Sequence, residues 1–269
     1  MNVLCLDVGN SNTRIAVVNE EGVCLKEKFP TLKIPSPGPE VGEILHRMVS
    51  KGNVSGIAFC SVVPGIYPHL MKHLRIFTSH VFNLNPKTCH GLAIDYPKPS
   101  EIGQDRLANS IGAQAKYGVP AIVIDMGTAV TLDILSADRG YEGGVIAPGL
   151  ALMSKYLHEK TALLPEVDPS EWKDVALIGK STREAISIGC KRGFAGMITA
   201  LVEPVYAELE QRHGKPPVLI SAGGDASFLE KGHFHQLIHD EDITLKGLHE
   251  AFSRDLQVRE HEGDAEYSM

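Results

Sequence analysis

One short pattern occurs twice in this chain, and it limits the available folds more than any other feature. Residues 3–6 are an apolar, β-favouring run that ends at Asp7-Val8-Gly9-Asn10, a turn signal. The chain restarts as a strand over 13–18, turns at Glu20-Glu21-Gly22 and runs on over 23–29. Residues 121–124 begin the same series. They end at Asp125-Met126-Gly127-Thr128-Ala129, restart over 130–135, turn at Asp138-Arg139-Gly140 and continue over 141–146. Each stretch predicts a three-stranded antiparallel meander with an Asp-x-Gly hairpin at its first turn. The two copies lie too far apart for solenoid repeats, so they predict two α/β domains on one plan. Residues 1–118 form the first and 119–257 the second, and the charged segment 258–269, poor in apolar residues, is expected to fray.

Helical periodicity fills the space between the strands. Val41, Ile44, Leu45, Met48 and Val49 predict a helix over 40–50, and Leu107, Ala108, Ile111 and Ala115 predict another over 104–117. Residues 149–160 read as a third. Ser181-Thr182-Arg183-Glu184 has capping-box form and opens a long helix toward Gln211. Short strands are expected at 56–60 and 217–220.

The repeated hairpin carries chemistry as well as topology. A glycine in a tight turn lets backbone N–H groups approach phosphate oxygens unobstructed. An aspartate at the strand end can hold Mg²⁺ near them. One such turn, Asp7-Val8-Gly9-Asn10-Ser11-Asn12-Thr13-Arg14, is equally good as a plain hairpin. Two in equivalent places make a nucleotide cleft gripping a triphosphate from both sides, as in the actin, sugar-kinase and Hsp70 ATPases. That is the logic of an ATP-using kinase for a small hydroxyl substrate.

Three further blocks stay open in isolation. Gly103-Gln104-Asp105-Arg106 starts a helix: Asp105 can accept a hydroxyl proton and Arg106 can grip an anionic or carbonyl group. The same pair also suits an ordinary helix start with a surface arginine. Ser221-Ala222-Gly223-Gly224 either lets an adenine lie against backbone or makes a tight strand–helix connection. Tyr141-Glu142-Gly143-Gly144 through Gly149 is either a domain crossing or part of the ligand cradle. His233, His235 and His239 lack the acidic partner of a metalloprotease helix and are set aside as polar surface.

Global properties exclude some classes. A net charge of −7 with no basic run argues against nucleic acid as the partner. No apolar run is read as reaching the ~20 residues that span a bilayer, and the first residues show no signal peptide. Five scattered cysteines without a C-x-x-C pair read as free thiols in a reducing, cytoplasmic setting.

Taken together, the blocks resemble the type III pantothenate kinases, a family that includes the Bvg accessory factors. The matching residues are Asp7-Val8-Gly9-Asn10, Ser61-Val62-Val63-Pro64, Gly103-x-Asp105-Arg106, Asp125-Met126-Gly127-Thr128-Ala129 and Glu142-Gly143-Gly144-x-Ile146-x-Pro148-Gly149. Leu164-Pro165, Gly179-Lys180-Ser181-Thr182 and Gly223-Gly224 are weaker matches. Asp242-Ile243-Thr244-Leu245-Lys246-Gly247-Leu248 looks like the family's closing strand and turn. Gln104 and the Ser221-Ala222 lead-in depart from the usual pattern.

The resemblance implies two ribonuclease H-like domains of the actin/sugar-kinase/Hsp70 superfamily. It implies transfer of phosphate from ATP, with Mg²⁺, to the terminal hydroxyl of pantothenate, the first step of coenzyme A synthesis. A homodimer and a monovalent cation, K⁺ or NH₄⁺, come with it. Carried over by position, Asp105 is the proton acceptor, and Tyr96, Gly103, Gln104, Asp105, Arg106 and Thr182 contact the substrate, Thr182 from across the dimer. Asp7 to Arg14 and Thr128 take the ATP, and Asp125 takes the monovalent cation. The rival readings are another small-molecule kinase, or a binding or regulatory protein that has lost turnover.

Overall fold

The computed structural model describes residues 1–36, 38–169, 172, 177–229, 234 and 236–266. The chain groups into two units, described in turn.

In the first, β1 (Val3–Val8), β2 (Asn12–Asn19) and β3 (Gly22–Pro30) form the expected meander. β4 (Gly56–Ser61) lies parallel to β1, and β5 (Val81–Asn83) parallel to β4, giving the sheet order β3-β2-β1-β4-β5. Parallel neighbours need crossovers. These are supplied by α1 (Glu40–Gly52) and α2 (Tyr67–Leu74), and α3 (Gln104–Tyr117) follows. Val3, Leu4, Cys5 and Leu6 are fully buried, as their unbroken apolar run requires of a central strand covered on both faces.

The second unit repeats the plan. β6 (Ala121–Met126), β7 (Ala129–Ser136) and β8 (Gly140–Pro148) are its meander, while β9 (Val218–Ala222) and β10 (Ile238–His239) extend it in parallel. The order β10-β9-β6-β7-β8 is the first sheet's order with equivalent strands in equivalent places. Duplication of the hairpin is thus duplication of a whole five-stranded sheet. The start of β8 is tied elsewhere: Tyr141 N donates to Ala93 O and Asp95 N to Tyr141 O, so residues 139–141 group with the first unit.

Helices α4 (Leu150–Glu159) and α5 (Thr182–His213) pack on the second sheet. The start of α5 is capped: Glu184 N donates to Ser181 Oγ at 3.2 Å, while Glu184 Oε2 accepts from Lys180 N, one residue before the cap, at 2.6 Å. Ser181→Ala should lower the unfolding free energy by about 1 kcal/mol, read from the urea midpoint. By length and composition α5 is long and apolar enough to cross a membrane, a test that the core helix of a soluble protein also passes. Its Ile186, Cys190, Phe194, Ile198, Val202 and Leu209 are instead buried in the unit's core.

The end of the chain differs from expectation. Asp242 to Leu248 is not a strand and turn, because α6 (Ile243–Glu266) begins there. It continues past Val258, where a tail was expected, and it belongs to the first unit rather than to a second domain ending at 257. The reason is a close helix pair. A Cβ on Gly247 would overlap the Ala108 carbonyl oxygen of α3, and one on Gly112 would lie 3.2 Å from Gly247 N. Ile243, Leu245, Leu248, Ala251 and Phe252 are buried in the first unit, so packing overrides the β-favouring Ile-Thr-Leu run.

Candidate active site

The first hairpin is held by threonines. Gly9 N donates to Asn12 O, Thr31 N to Ser11 O, and Thr31 Oγ1 to Gly9 O at 2.7 Å. Because Thr31 spends its one hydroxyl proton on Gly9, Thr13 Oγ1 donates to Thr31 Oγ1 at 3.0 Å. Val8 and Thr13 are fully buried and serve the turn itself. Asn10, Ser11 and Asn12 are the exposed tip.

Asp7 sits at the end of β1, and both of its oxygens are engaged. Arg14 donates to Oδ2 through Nε at 2.9 Å and Nη2 at 2.7 Å. The Cys60 thiol of β4 donates to Oδ1 at 3.6 Å. A thiol is a weak donor, so Oδ1 keeps lone pairs for a hydrated Mg²⁺, and the carboxylate fits that ion. Arg14 was grouped with the phosphate loop; the structure pairs it with Asp7.

Asp105 is the second residue of α3. Its Oδ1 accepts from Arg106 N at 2.8 Å, which folds the carboxyl back over the helix start. A Cβ on the preceding Gly103 would collide with that oxygen, which explains the Gly-x-Asp spacing. Gln104 Oε1 accepts from Ser61 N at 2.8 Å, and Val62 N donates to Val8 O at 3.1 Å. The Ser61-Val62-Val63-Pro64 block therefore ties the helix carrying Asp105 to the strand carrying Asp7. Both carboxylates act on one thiol: burial first, then the charges of Asp7 and Asp105, push Cys60 well above its ordinary pKa.

Arg106 is buried, with its guanidinium 5.7 Å from the Tyr141 ring centroid. Tyr96 stands 6.3 Å from the same ring. Tyr141 thus joins Arg106 and Tyr96 into one group, a role its place in a glycine block did not reveal. An aromatic among glycines at a domain crossing was the available signal.

In the second unit, Asp125 closes β6 and Thr128 lies in the hairpin. Gly223 has φ +87°, and a Cβ there would meet both Asp125 Oδ1 and the Met126 carbonyl oxygen. Glycine is thus required at 223 by its close packing against a carboxylate and a carbonyl oxygen. The Asp125 carboxylate brings a single negative charge, which fits a singly charged cation. Among the described residues no three His, Cys, Asp or Glu side chains cluster as metal ligands. Gly149 N donates to Thr128 O at 3.2 Å, docking the hairpin on the start of α4. Burial raises the pKa of Asp225, just past the paired glycines. Thr182 is exposed at the first turn of α5, on the rim of an apolar groove. His239 Nδ1 lies 3.2 Å from Ser221 Oγ; His233 and His235 fall outside the described residues.

Comparison with known proteins agrees in sequence and in fold. The profile of the type III pantothenate kinase family matches residues 3–204. The type III pantothenate kinase of Akkermansia muciniphila is 39% identical over 92% of this chain and 97% of its own length. That of Listeria monocytogenes is 32% identical over 96% of this chain and 99% of its own. Among solved structures, the ROK hexokinase of Thermus thermophilus superposes with a TM-score of 0.52 at 17% identity, covering 96% of this chain and all of its own. A Campylobacter jejuni protein described as a Baf family transcriptional activator reaches 0.59 at 21% identity, over 94% and 99% of the two chains. The structural likenesses speak for the sugar-kinase-like fold, and the sequence matches for the family: this chain belongs to the type III pantothenate kinases.

Proposed function

We propose that Asp105 accepts the proton as this kinase transfers the γ-phosphate of ATP to the terminal hydroxyl of pantothenate, opening coenzyme A synthesis. The observation that carries the reading is the backbone tie at Ser61-Val62: Ser61 N donates to Gln104, next to Asp105, and Val62 N to Val8 O, next to Asp7. It joins the helix that carries the proposed proton acceptor to the strand whose carboxylate suits the phosphate side. Phosphoryl transfer depends on in-line placement and charge neutralisation more than on covalent chemistry. Asp105 takes the proton as the new O–P bond forms and the bond to the β-phosphate oxygen breaks. Arg106, oriented on Tyr141, holds pantothenate together with Tyr96, Gly103 and Gln104. Residues Asp7 to Arg14 and Thr128 take the ATP. Mg²⁺, when bound, supplies positive charge to the phosphates beside Asp7, and K⁺ or NH₄⁺ does so at Asp125.

The test is direct. Purified protein, given ATP, Mg²⁺ and pantothenate with and without NH₄⁺ or K⁺, is expected to form 4′-phosphopantothenate, faster with the monovalent cation. ATP binding without product would favour the regulatory reading. Phosphorylation of a sugar but not of pantothenate would favour another kinase. Five free cysteines support a cytoplasmic location, and the negative net charge supports the absence of a nucleic-acid partner.

A homodimer is part of the proposal. Leu152, Met153, Tyr156, Leu157 and Ile186 line an apolar groove of about 840 Å³ whose rim carries Thr182. Leu152 is 42% and Tyr156 62% exposed, an apolar surface suited to a second copy of the chain. Leu152→Glu should yield a monomer by light scattering while the far-ultraviolet circular dichroism is unchanged. A dimer of undiminished stability would remove this face from the interface.

A further inference from the structure

The block around Thr244 was singled out by sequence and has no part in the reaction so far. Its place in the fold suggests one. Thr244 is fully buried at the start of α6. Its Oγ1 accepts from Arg14 Nη2 at 3.0 Å and donates to Asn109 Oδ1 at 2.8 Å. The directions follow from chemistry, since a guanidinium only donates and the hydroxyl has one proton to give. Arg14 in turn holds Asp7 Oδ2, and Asn109 lies on α3 one turn beyond Asp105. A chain of hydrogen bonds therefore runs from Asp7 through Arg14 and Thr244 to the helix that carries Asp105.

We propose that Thr244 is a positioning residue for the Mg·ATP side of the reaction, its hydroxyl setting the Arg14 guanidinium that orients Asp7. The inference rests on the reading that Asp7 faces the phosphates. A guanidinium bound to a carboxylate still pivots about its own stem, and a second, rigid acceptor restricts that pivot. Thr244 is such an acceptor because it sits on a helix locked to α3 by the Gly247–Ala108 contact. Its γ-methyl fills space, while the hydroxyl is the group that bonds the Arg14 guanidinium. Valine keeps the shape and removes the hydroxyl; serine keeps the hydroxyl and removes the methyl.

The experiment compares Thr244→Val, Thr244→Ser and Asp7→Asn in steady-state kinetics with Mg·ATP and pantothenate. Thr244→Val is expected to raise KM for Mg·ATP about tenfold, the range for loss of an outer partner of a metal-facing carboxylate. KM for pantothenate should stay within about twofold. Thr244→Ser should return KM for Mg·ATP to near the parent value. In the Asp7→Asn background, Thr244→Val should add little, because the group it orients is gone. Equal loss toward both substrates, no rescue by serine, or full multiplication of the two effects would overturn the proposal. If Asp7→Asn leaves Mg·ATP kinetics unchanged, the reading of Asp7 fails and the proposal falls with it. If Asp7→Asn is impaired and Thr244→Val is not, Thr244 alone is excluded. Should the valine variant not be recovered folded, Thr244→Cys keeps the volume with a weaker acceptor. It is expected to show the same split at smaller size, and parent kinetics with it would overturn the proposal.

Discussion

Asp105→Asn is expected to keep Mg·ATP binding near the parent strength and to lower turnover about 10²-fold or more. The amide is the same size as the carboxylate, and its oxygen can still accept from Arg106 N, so the helix start and Arg106 keep their places. What disappears is the ability to take a proton. An effect confined to kcat, with nucleotide affinity measured separately by calorimetry, would assign proton transfer to this residue. Turnover within a few-fold of the parent would remove Asp105 from the mechanism and leave positioning by Arg106 and the hairpins as the source of rate.

Gly247→Ala is expected to destabilise the protein although it replaces a glycine inside a helix. Alanine favours a helix over glycine by about 1 kcal/mol. The new Cβ would overlap the Ala108 carbonyl oxygen, and overpacking against backbone costs about 3 kcal/mol because no side chain can rotate away. The clash wins, for a net loss of about 2 kcal/mol, read from chemical denaturation followed by circular dichroism. A variant as stable as the parent would mean that α3 and α6 separate readily. It would also weaken the case for a rigid acceptor at Thr244.

The parts of the fold legible in the sequence were those whose signal is local. The Asp-x-Gly turns, the alternation of the meanders and the apolar stripe of α3 follow from periods of two and 3.6 residues. They need no knowledge of what lies across the core. Helix α6 was opaque for the opposite reason. Ile243-Thr244-Leu245 reads as strand locally, and only the glycines at 112 and 247, far apart in the chain, reveal a helix pair. The candidate site divides in the same way. Asp7, Asp105 and Asp125 stand in blocks with recognisable spacing. Cys60 and Thr31 enter through contacts between distant segments, and nothing in their own neighbourhoods marks them; Tyr141 and Thr244 stand in blocks that the sequence singles out, but their contacts do not show there. Arg14 stands in such a block too, but its pairing with Asp7 was not legible, because a guanidinium beside a phosphate loop and one beside a carboxylate leave the same trace in a sequence.

The return of α6 to the first unit has a consequence for how the protein is made. Residues 119–138 and 142–241 form a nearly continuous stretch and can complete their sheet as soon as they have left the ribosome. The first sheet emerges earlier yet lacks its packing helix until residues 243–266 are made. At ~5–20 residues per second it waits on the order of ten seconds or more with the surface meant for α6 uncovered. The amino-terminal body therefore does not mature first. A released chain ending before residue 242 would carry every strand of both sheets and still leave the first without its packing helix.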